Sequence, residues 1–314
     1  LEEKVALMWH GRFATGSSKV ANSLMMDAHM NMLRDFGLGN FKTLLQQLSR
    51  SPATLWWLDQ QMNHTDAVNE NYGRELLELF SMGRGNYSEE DVRSAARSFT
   101  GWTIEQTIPR YPGGWFDIDF VYRDDDHDHS QKEFLGETGD FNGDDIIDIV
   151  ARQPATGRFV ATTICRFFLS DDPDERAIDT LAQAYFDSGY EIREVLRTLF
   201  KSTFFKESGF QRVKCPAELV VGTIQLTEEL RDPYEFGIEH LVKWTASMGQ
   251  ELLNPPTVEG WHMGHEWIDS AFLIERVNFA SDRLGNTSAP GVANMIDRIQ
   301  SDRSDINATD LIDA

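Results

Sequence analysis

The chain has 314 residues, enough to bury a large core as one domain or two. Its 29 Lys and Arg face 51 Asp and Glu, a net charge of −22, which argues against nucleic-acid binding and against docking on anionic lipid, both of which need a basic surface. Two cysteines, Cys165 and Cys215, are too few for a disulfide framework, and no stretch approaches the ~18–20 apolar residues of a membrane span.

Helical periodicity dominates the chain. It opens on Leu1-Glu2-Glu3 as if a helix were already under way, so we read it as a fragment lacking an N-terminal part. His10, after Trp9, fits a packed histidine better than a ligand. Phe41, Leu44, Leu45 and Leu48 fall at i, i+3, i+4 and i+7, one buried helical face. Tyr72, Leu76, Leu79 and Phe80 repeat the pattern behind Asn69, a good N-cap. Beside that face runs a polar stripe, Glu70, Arg74 and Glu78 at i, i+4 and i+8, with Glu75 next to it. The stripe is either an ion-pair ladder or the seat of a carboxylate pair able to move protons. The ladder is the plainer reading, since i, i+4 neighbours pair as a matter of course. Arg74 is expected to pair with Glu70 or Glu78, whereas Arg84, in the Gly83-Arg84-Gly85 helix stop, is expected to have no such partners.

Ser88 and Asp91 have the spacing of a capping box and open a helix through Phe99. Residues 103–132 then break the helical pattern. Pro109, Pro112, Gly113 and Gly114 precede Phe116, Ile118 and Phe120, which alternate with Asp117, Asp119 and Val121, so a β-hairpin is expected. Asp124-Asp125-Asp126-His127-Asp128-His129 is the densest polar run, with ligand chemistry suited to a divalent cation but no closed metal motif. Asp140, Asn142 and Asp144 hint at a calcium loop but fail the EF-hand pattern, because Gly143 comes too early and Ala151 stands where the closing Glu belongs. A solvated acidic loop before a helix capped at Asp144 is the plainer reading.

Phe159, Val160, Ile164, Phe167 and Phe168 mark a buried helix in which Cys165 packs as a small hydrophobe. Ile192, Val195, Leu196, Leu199 and Phe200 mark another, and Pro173 and Pro216 lie near further helix starts. Whether Cys165 and Cys215 pair is open. Pro255-Pro256, Gly260-Trp261, Gly264 and Trp267 make a restricted aromatic loop, whose indoles either stack on a sugar or plug the core. Arg276 follows on a helix and is a candidate for an acid or an anionic ligand. After Gly285 the chain is polar apart from one amphipathic piece, residues 292–299. Nucleophile-elbow, P-loop and dinucleotide-binding fingerprints do not occur.

The run Asn69 to Gly83, then Tyr87 to Val92 and Phe99-Thr100-Gly101-Trp102, closely resembles the bacterial family called domain of unknown function 1800. His127-Asp128 with Lys132 and Leu135-Gly136 resembles a second family segment, and Asn254 to Trp261 with Trp267-Ile268 and Arg276 a third. The chain departs from the family at Val68, where proline is usual, and at Gly11-Arg12 after His10, where a further histidine is expected. The resemblance implies a fold and no reaction. It also implies that His127 and Asp128 belong to a shared site, and that the protein is periplasmic or secreted.

The fold expected is mainly α, a multi-helix domain over residues 1–284 with a hairpin insert at 103–132 and a polar extension at 285–314. Two functions remain open. One is an extracytoplasmic binding or assembly component with a protein partner. The alternative is a hydrolase-like enzyme, acting on a carbohydrate such as a polysaccharide. Its catalytic candidates are Glu70, Arg74, Glu75, Glu78, His127 and Asp128, with or without a divalent metal on His127 and Asp128. Trp261, Trp267, Arg276 and Lys132 are its ligand-binding candidates. In that reading His127–Asp128, the Glu70–Glu78 helix and Trp261 share one depression.

Overall fold

The computed structural model describes residues 1–106, 118–229 and 237–302. It is mainly α, 61% helical, about twice the share of an average globular domain. No described helix is long and apolar enough to cross a membrane. The residues fall into two compact units, 1–212 with 253–260, and 213–252 with 261–314.

The first unit holds α1 (Glu2–His10), α2 (Ser17–Val20), α3 (Ser23–Phe36), α4 (Phe41–Arg50), α5 (Pro52–Trp57), α6 (Asn71–Glu78) and α7 (Glu89–Ser98). After two short sheets follow α8 (Gly143–Ala151), α9 (Pro154–Phe168), α10 (Glu175–Asp187), α11 (Ile192–Lys201) and α12 (Thr203–Lys206). Its core is one continuous apolar cluster running from Val5 to Leu199. In α4 the four residues at helical spacing, Phe41, Leu44, Leu45 and Leu48, are all fully buried. Each such side chain contributes about 2 kcal/mol of transfer free energy. Asn40 caps that helix by accepting from the Lys42 and Thr43 amides.

The α6 face is also as expected. Tyr72, Leu76 and Phe80 are buried, and Leu79 packs at the edge of the core. The cap differs. The helix starts at Asn71, and Asn69 accepts from the Asn71 amide at 3.0 Å in a turn just ahead of it. Gly73 explains how α6 meets α7. A Cβ there would lie 2.9 Å from the Ala96 amide nitrogen, closer than carbon and backbone nitrogen approach, so a larger residue would push the helices apart. The Ser88–Asp91 capping box forms in both directions. The helix expected to be capped at Asp144 is capped at Asn142 instead, whose side chain accepts from the Asp144 and Asp145 amides while Asp145 bonds back.

The hairpin is present. β1 (Trp102–Gln106) pairs antiparallel with β2 (Ile118–Tyr122), Trp102 opposite Tyr122. The Pro-Gly-Gly turn, with Phe116 and Asp117, lies outside the described residues. A second hairpin, not expected from the sequence, pairs β3 (Lys132–Phe134) with β4 (Glu137–Gly139). Leu135 and Gly136 turn it with positive φ angles of 48° and 81°, the twist a two-residue hairpin favours. Its three-residue strands are too short to show an alternation.

The second unit contains α13 (Pro216–Thr227), α14 (Ile238–Ser247), α15 (Ser270–Leu284) and α16 (Pro290–Asp302). Val220, Met248 and Phe279 form its small core. The amphipathic piece at 292–299 lies within α16. Cys165 and Cys215 are both buried and form no disulfide, and burial pushes the Cys165 thiol up to about 12.

Candidate functional site

The α6–α7 pair positions most of the candidate residues. Glu70 reaches Arg93 at 3.6 Å, Gly73 abuts Ala96, and Arg74 grips Glu89. Along the polar face Glu70, Arg74 and Glu78 meet Arg93, Glu89 and Tyr87 in turn, so the segment leading through α7 runs antiparallel to α6.

At the N-terminal end of α6 the stripe is an ion-pair network. Arg74 donates to Glu70 at 3.1 Å and to both oxygens of Glu89 at 2.9 and 2.7 Å. Hydrogen bonding to Glu89, ahead of that to Glu70, raises the Arg74 guanidinium further above its ordinary value. These groups are open to water, with Glu89 65% exposed. The arrangement is the ladder, extended across to a second helix.

The C-terminal end of α6 is different. The Glu78 side chain is only 17% exposed; it accepts from Arg84 and, at 3.0 Å, from the Tyr87 hydroxyl. Arg84 also donates to Glu259 at 2.8 Å, so the expectation that it has no acidic partners is overturned. The loop between two helix ends is where a long arginine can span two acids that the fold brings together.

Glu75 is half-buried and, among the described residues, its carboxyl makes no hydrogen bond or ion pair. Desolvation raises its carboxyl above the usual range, followed by the charges of Glu78 and Glu259, while Arg74 and Arg84 pull the other way. Burial with Glu78 nearby also pushes the Tyr87 hydroxyl up to about 12.

Glu259 arrives on the Pro255–Gly260 loop. Gly260 has φ +92° and a Cβ there would strike the Gly11 carbonyl at 2.4 Å. Only glycine allows the loop to lie so close to the turn after α1. Arg12, on that turn, feels the charges of Arg166 and Glu259; desolvation, then Arg166, lower its guanidinium below the ordinary value. Thus α6 with the loop after it, the post-α1 turn and the Pro-Pro loop converge, and they carry Glu75, Glu78, Arg84, Arg12 and Glu259. Nearby His10 and His29 are packed neutral histidines. Burial lowers them to about 3 and about 4, His10 Nε2 accepts from the Leu253 amide, and His29 Nε2 meets the Phe13 carbonyl.

The His127–Asp128 segment sits at the other end of α7. Asp128 accepts from Arg97 Nε at 2.7 Å, and its second oxygen is taken by Ser130. Burial raises the carboxyl, but bonds from Ser130 and Arg97 outweigh this and hold it well below the usual carboxylate range. His127 turns the other way, with Nδ1 2.9 Å from the Thr100 carbonyl. Lys132 is fully buried, and its ammonium donates to the Asp128 and Ser130 carbonyls and lies 3.4 Å from Asp140. Lys132 thus braces the loop. The ligand atoms that come together here belong to His127, His129 and Asp140, all within 4.8 Å of one another, while Asp128 faces Arg97.

Trp261, Trp267 and Arg276 lie in the second unit. Trp267 is buried, and Arg276 donates to its carbonyl at 2.9 Å and to the Lys214 carbonyl at 2.8 Å. Burial lowers the Arg276 guanidinium below its ordinary value. Its donors tie backbone segments together, which is the packing role.

Sequence reasoning found Glu75 and Glu78 but missed Glu259 and Arg12 as their companions, and it paired His127 with Asp128 rather than with His129 and Asp140. Glu259 stands within a segment already singled out for its tryptophan, and only its acidity marked it. No curated protein and no solved structure matches the chain. The family described as protein of unknown function (DUF1800) matches residues 1–314, and the chain belongs to that family.

Proposed function

We propose that the chain is a hydrolase-like enzyme working at the C-terminal end of α6, with Glu75 as proton donor and Glu78 as the ionised carboxylate. The observation that carries this is the contrast between two acids one helical turn apart. Glu75 has lost water without gaining a bond, whereas Glu78 is held by Arg84 and Tyr87. Neighbouring carboxyls in environments that differ in this way are suited to separate roles, one as acid and one as base. Residues at i and i+3 have Cβ atoms about 5–6 Å apart, and glycosidic bonds are cleaved by carboxyl pairs ~5–10 Å apart. A polysaccharide or other glycoside is therefore the substrate class proposed. The role proposed is outside the cytoplasm, a reading supported by the occurrence of such polymers there and by what the family resemblance implies.

The test is an assay of the purified chain against a panel of polysaccharides and aryl glycosides, with Glu75→Gln and Glu78→Gln beside the wild type. Loss of proton transfer should reduce hydrolysis by roughly 10²–10⁴-fold in Glu75→Gln, with the helical circular dichroism spectrum unchanged. Full activity in that variant, or no hydrolysis of any substrate by the wild type, sinks the reading.

A second reading, an assembly component that binds a protein partner, is favoured by the surface of the second unit. Ile238 on α14 and Ile274 and Val277 on α15 are each exposed by more than half, and Val221 and Leu273 by nearly half. Single exposed apolar residues are ordinary, but a concentration of them marks a contact surface. Replacing Ile274 and Val277 with Glu should abolish partner capture if this surface is used and leave hydrolysis untouched.

A further inference from the structure

We propose that His127, His129 and Asp140 bind one borderline divalent metal ion of the zinc class. The proposal is independent of the chemistry at Glu75 and concerns the opposite end of α7.

Two folding events assemble the site. Asp124–Asp126 form a short 3-10 turn that delivers His127 and His129, and the β3–β4 hairpin returns the chain so that Asp140 follows β4. The rings of the two histidines lie 4.8 Å apart and nearly perpendicular.

The hydrogen bonds set which nitrogens are free. A carbonyl oxygen only accepts, so His127 Nδ1, 2.9 Å from the Thr100 carbonyl, carries the proton of the neutral ring and leaves the Nε2 lone pair unused. His129 Nε2 lies 3.3 Å from the Asp124 carbonyl and 3.4 Å from its carboxylate, which leaves Nδ1 with the lone pair. That Nδ1 is 3.7 Å from Asp140 Oδ2. The three residues bring ligand atoms within 4.8 Å of one another, and each imidazole thus keeps one lone pair and is held from behind by an oxygen acceptor. This is the outer support that metal-bound histidines have.

A tetrahedral ion with bonds of ~2.0–2.1 Å brings its ligand atoms to about 3.3 Å of one another. His127 is buried and is the fixed point. His129 and Asp140 have side chains 55% and 53% exposed, so their rotamers are free to close the remaining distance. Three protein ligands leave a fourth position for water or an exchangeable ligand.

The buried Lys132 ammonium, 3.4 Å from Asp140 Oδ1, supplies selectivity. Hard cations such as Mg²⁺ and Ca²⁺, held by carboxylate charge, meet its repulsion with little compensation. A borderline ion gains two imidazole bonds that the ammonium does not weaken.

The test is calorimetric titration of the tag-free chain with Zn²⁺, with Mg²⁺ and Ca²⁺ in parallel. One Zn²⁺ per chain is expected. His129→Ala and Asp140→Asn, both exposed and so compatible with folding, should each weaken it at least tenfold. His262→Ala, which removes a surface His–carboxylate pair elsewhere, His262 with Glu266, should change nothing. Absence of saturable Zn²⁺ binding overturns the proposal. So does Mg²⁺ or Ca²⁺ binding of equal strength, or a site indifferent to His129→Ala and Asp140→Asn.

Discussion

The two ends of α6 carry the same residue types in different surroundings. At the N-terminal end Glu70, Arg74 and Glu89 satisfy one another in water. At the C-terminal end Glu78 is largely buried under Arg84 and Tyr87, and Glu75 is desolvated with Glu78 and Glu259 nearby. An acid spaced three or four residues from its neighbour is therefore not by itself a ladder rung or a catalytic group. Solvent access and the charges arriving from other segments decide which it becomes.

The strongest way to break the comparison is at the crossing between the two ends. Gly73→Ala places a methyl group 2.9 Å from the Ala96 amide nitrogen, and overpacking of this kind costs ~1–3 kcal/mol. Denaturant unfolding should show that loss, and both ends should loosen together because α6 and α7 separate. An unchanged midpoint would mean that the helices do not depend on this contact.

The next effect separates the ends by pH. The folded-state carboxyl of Glu75 is raised, so the native chain holds that proton more tightly than the unfolded chain. Its contribution is full below the ordinary carboxylate value and is lost as pH rises through the raised value. His10 and His29 act in the opposite sense. Their lowered values, about 3 and about 4, mean stability present above the ordinary histidine value and lost as pH falls. Measuring the stability of wild type minus Glu75→Gln cancels both histidines. That difference should turn against the wild type between acid and neutral pH, and a flat difference would remove the contrast on which the proton-donor role rests.

The smallest effect belongs to the open end. Arg74→Ala should lower stability by about 0.5 kcal/mol, the usual size for exposed pairs, and the loss should shrink in high salt. A loss of several kcal/mol, insensitive to salt, would show that this end is as secluded as the other. Arg84 no longer serves as a partnerless reference, because it bridges Glu78 and Glu259.

Much of the fold was legible because it is local. The spacing of Phe41, Leu44, Leu45 and Leu48 specified a buried helix face, and the four residues are fully buried. Ser88 and Asp91 specified a helix start, which forms as a two-way capping box. The first hairpin followed from alternation, and the mainly α class from the repetition of the helical period. The family followed from the order of three motifs.

What tertiary structure alone decided was partnership. Arg84 and Glu259 are 175 residues apart in sequence, and no period links them. Asp128 has the composition of a metal ligand, yet Arg97 and Ser130 take both its oxygens, while Asp140, reached through a hairpin too short to show in the sequence, stands beside His129. Helical faces are set by the geometry of a few consecutive residues. The fate of a charged side chain is set by which distant charges and how much water the fold leaves around it, and that information exists only once the chain has closed on itself.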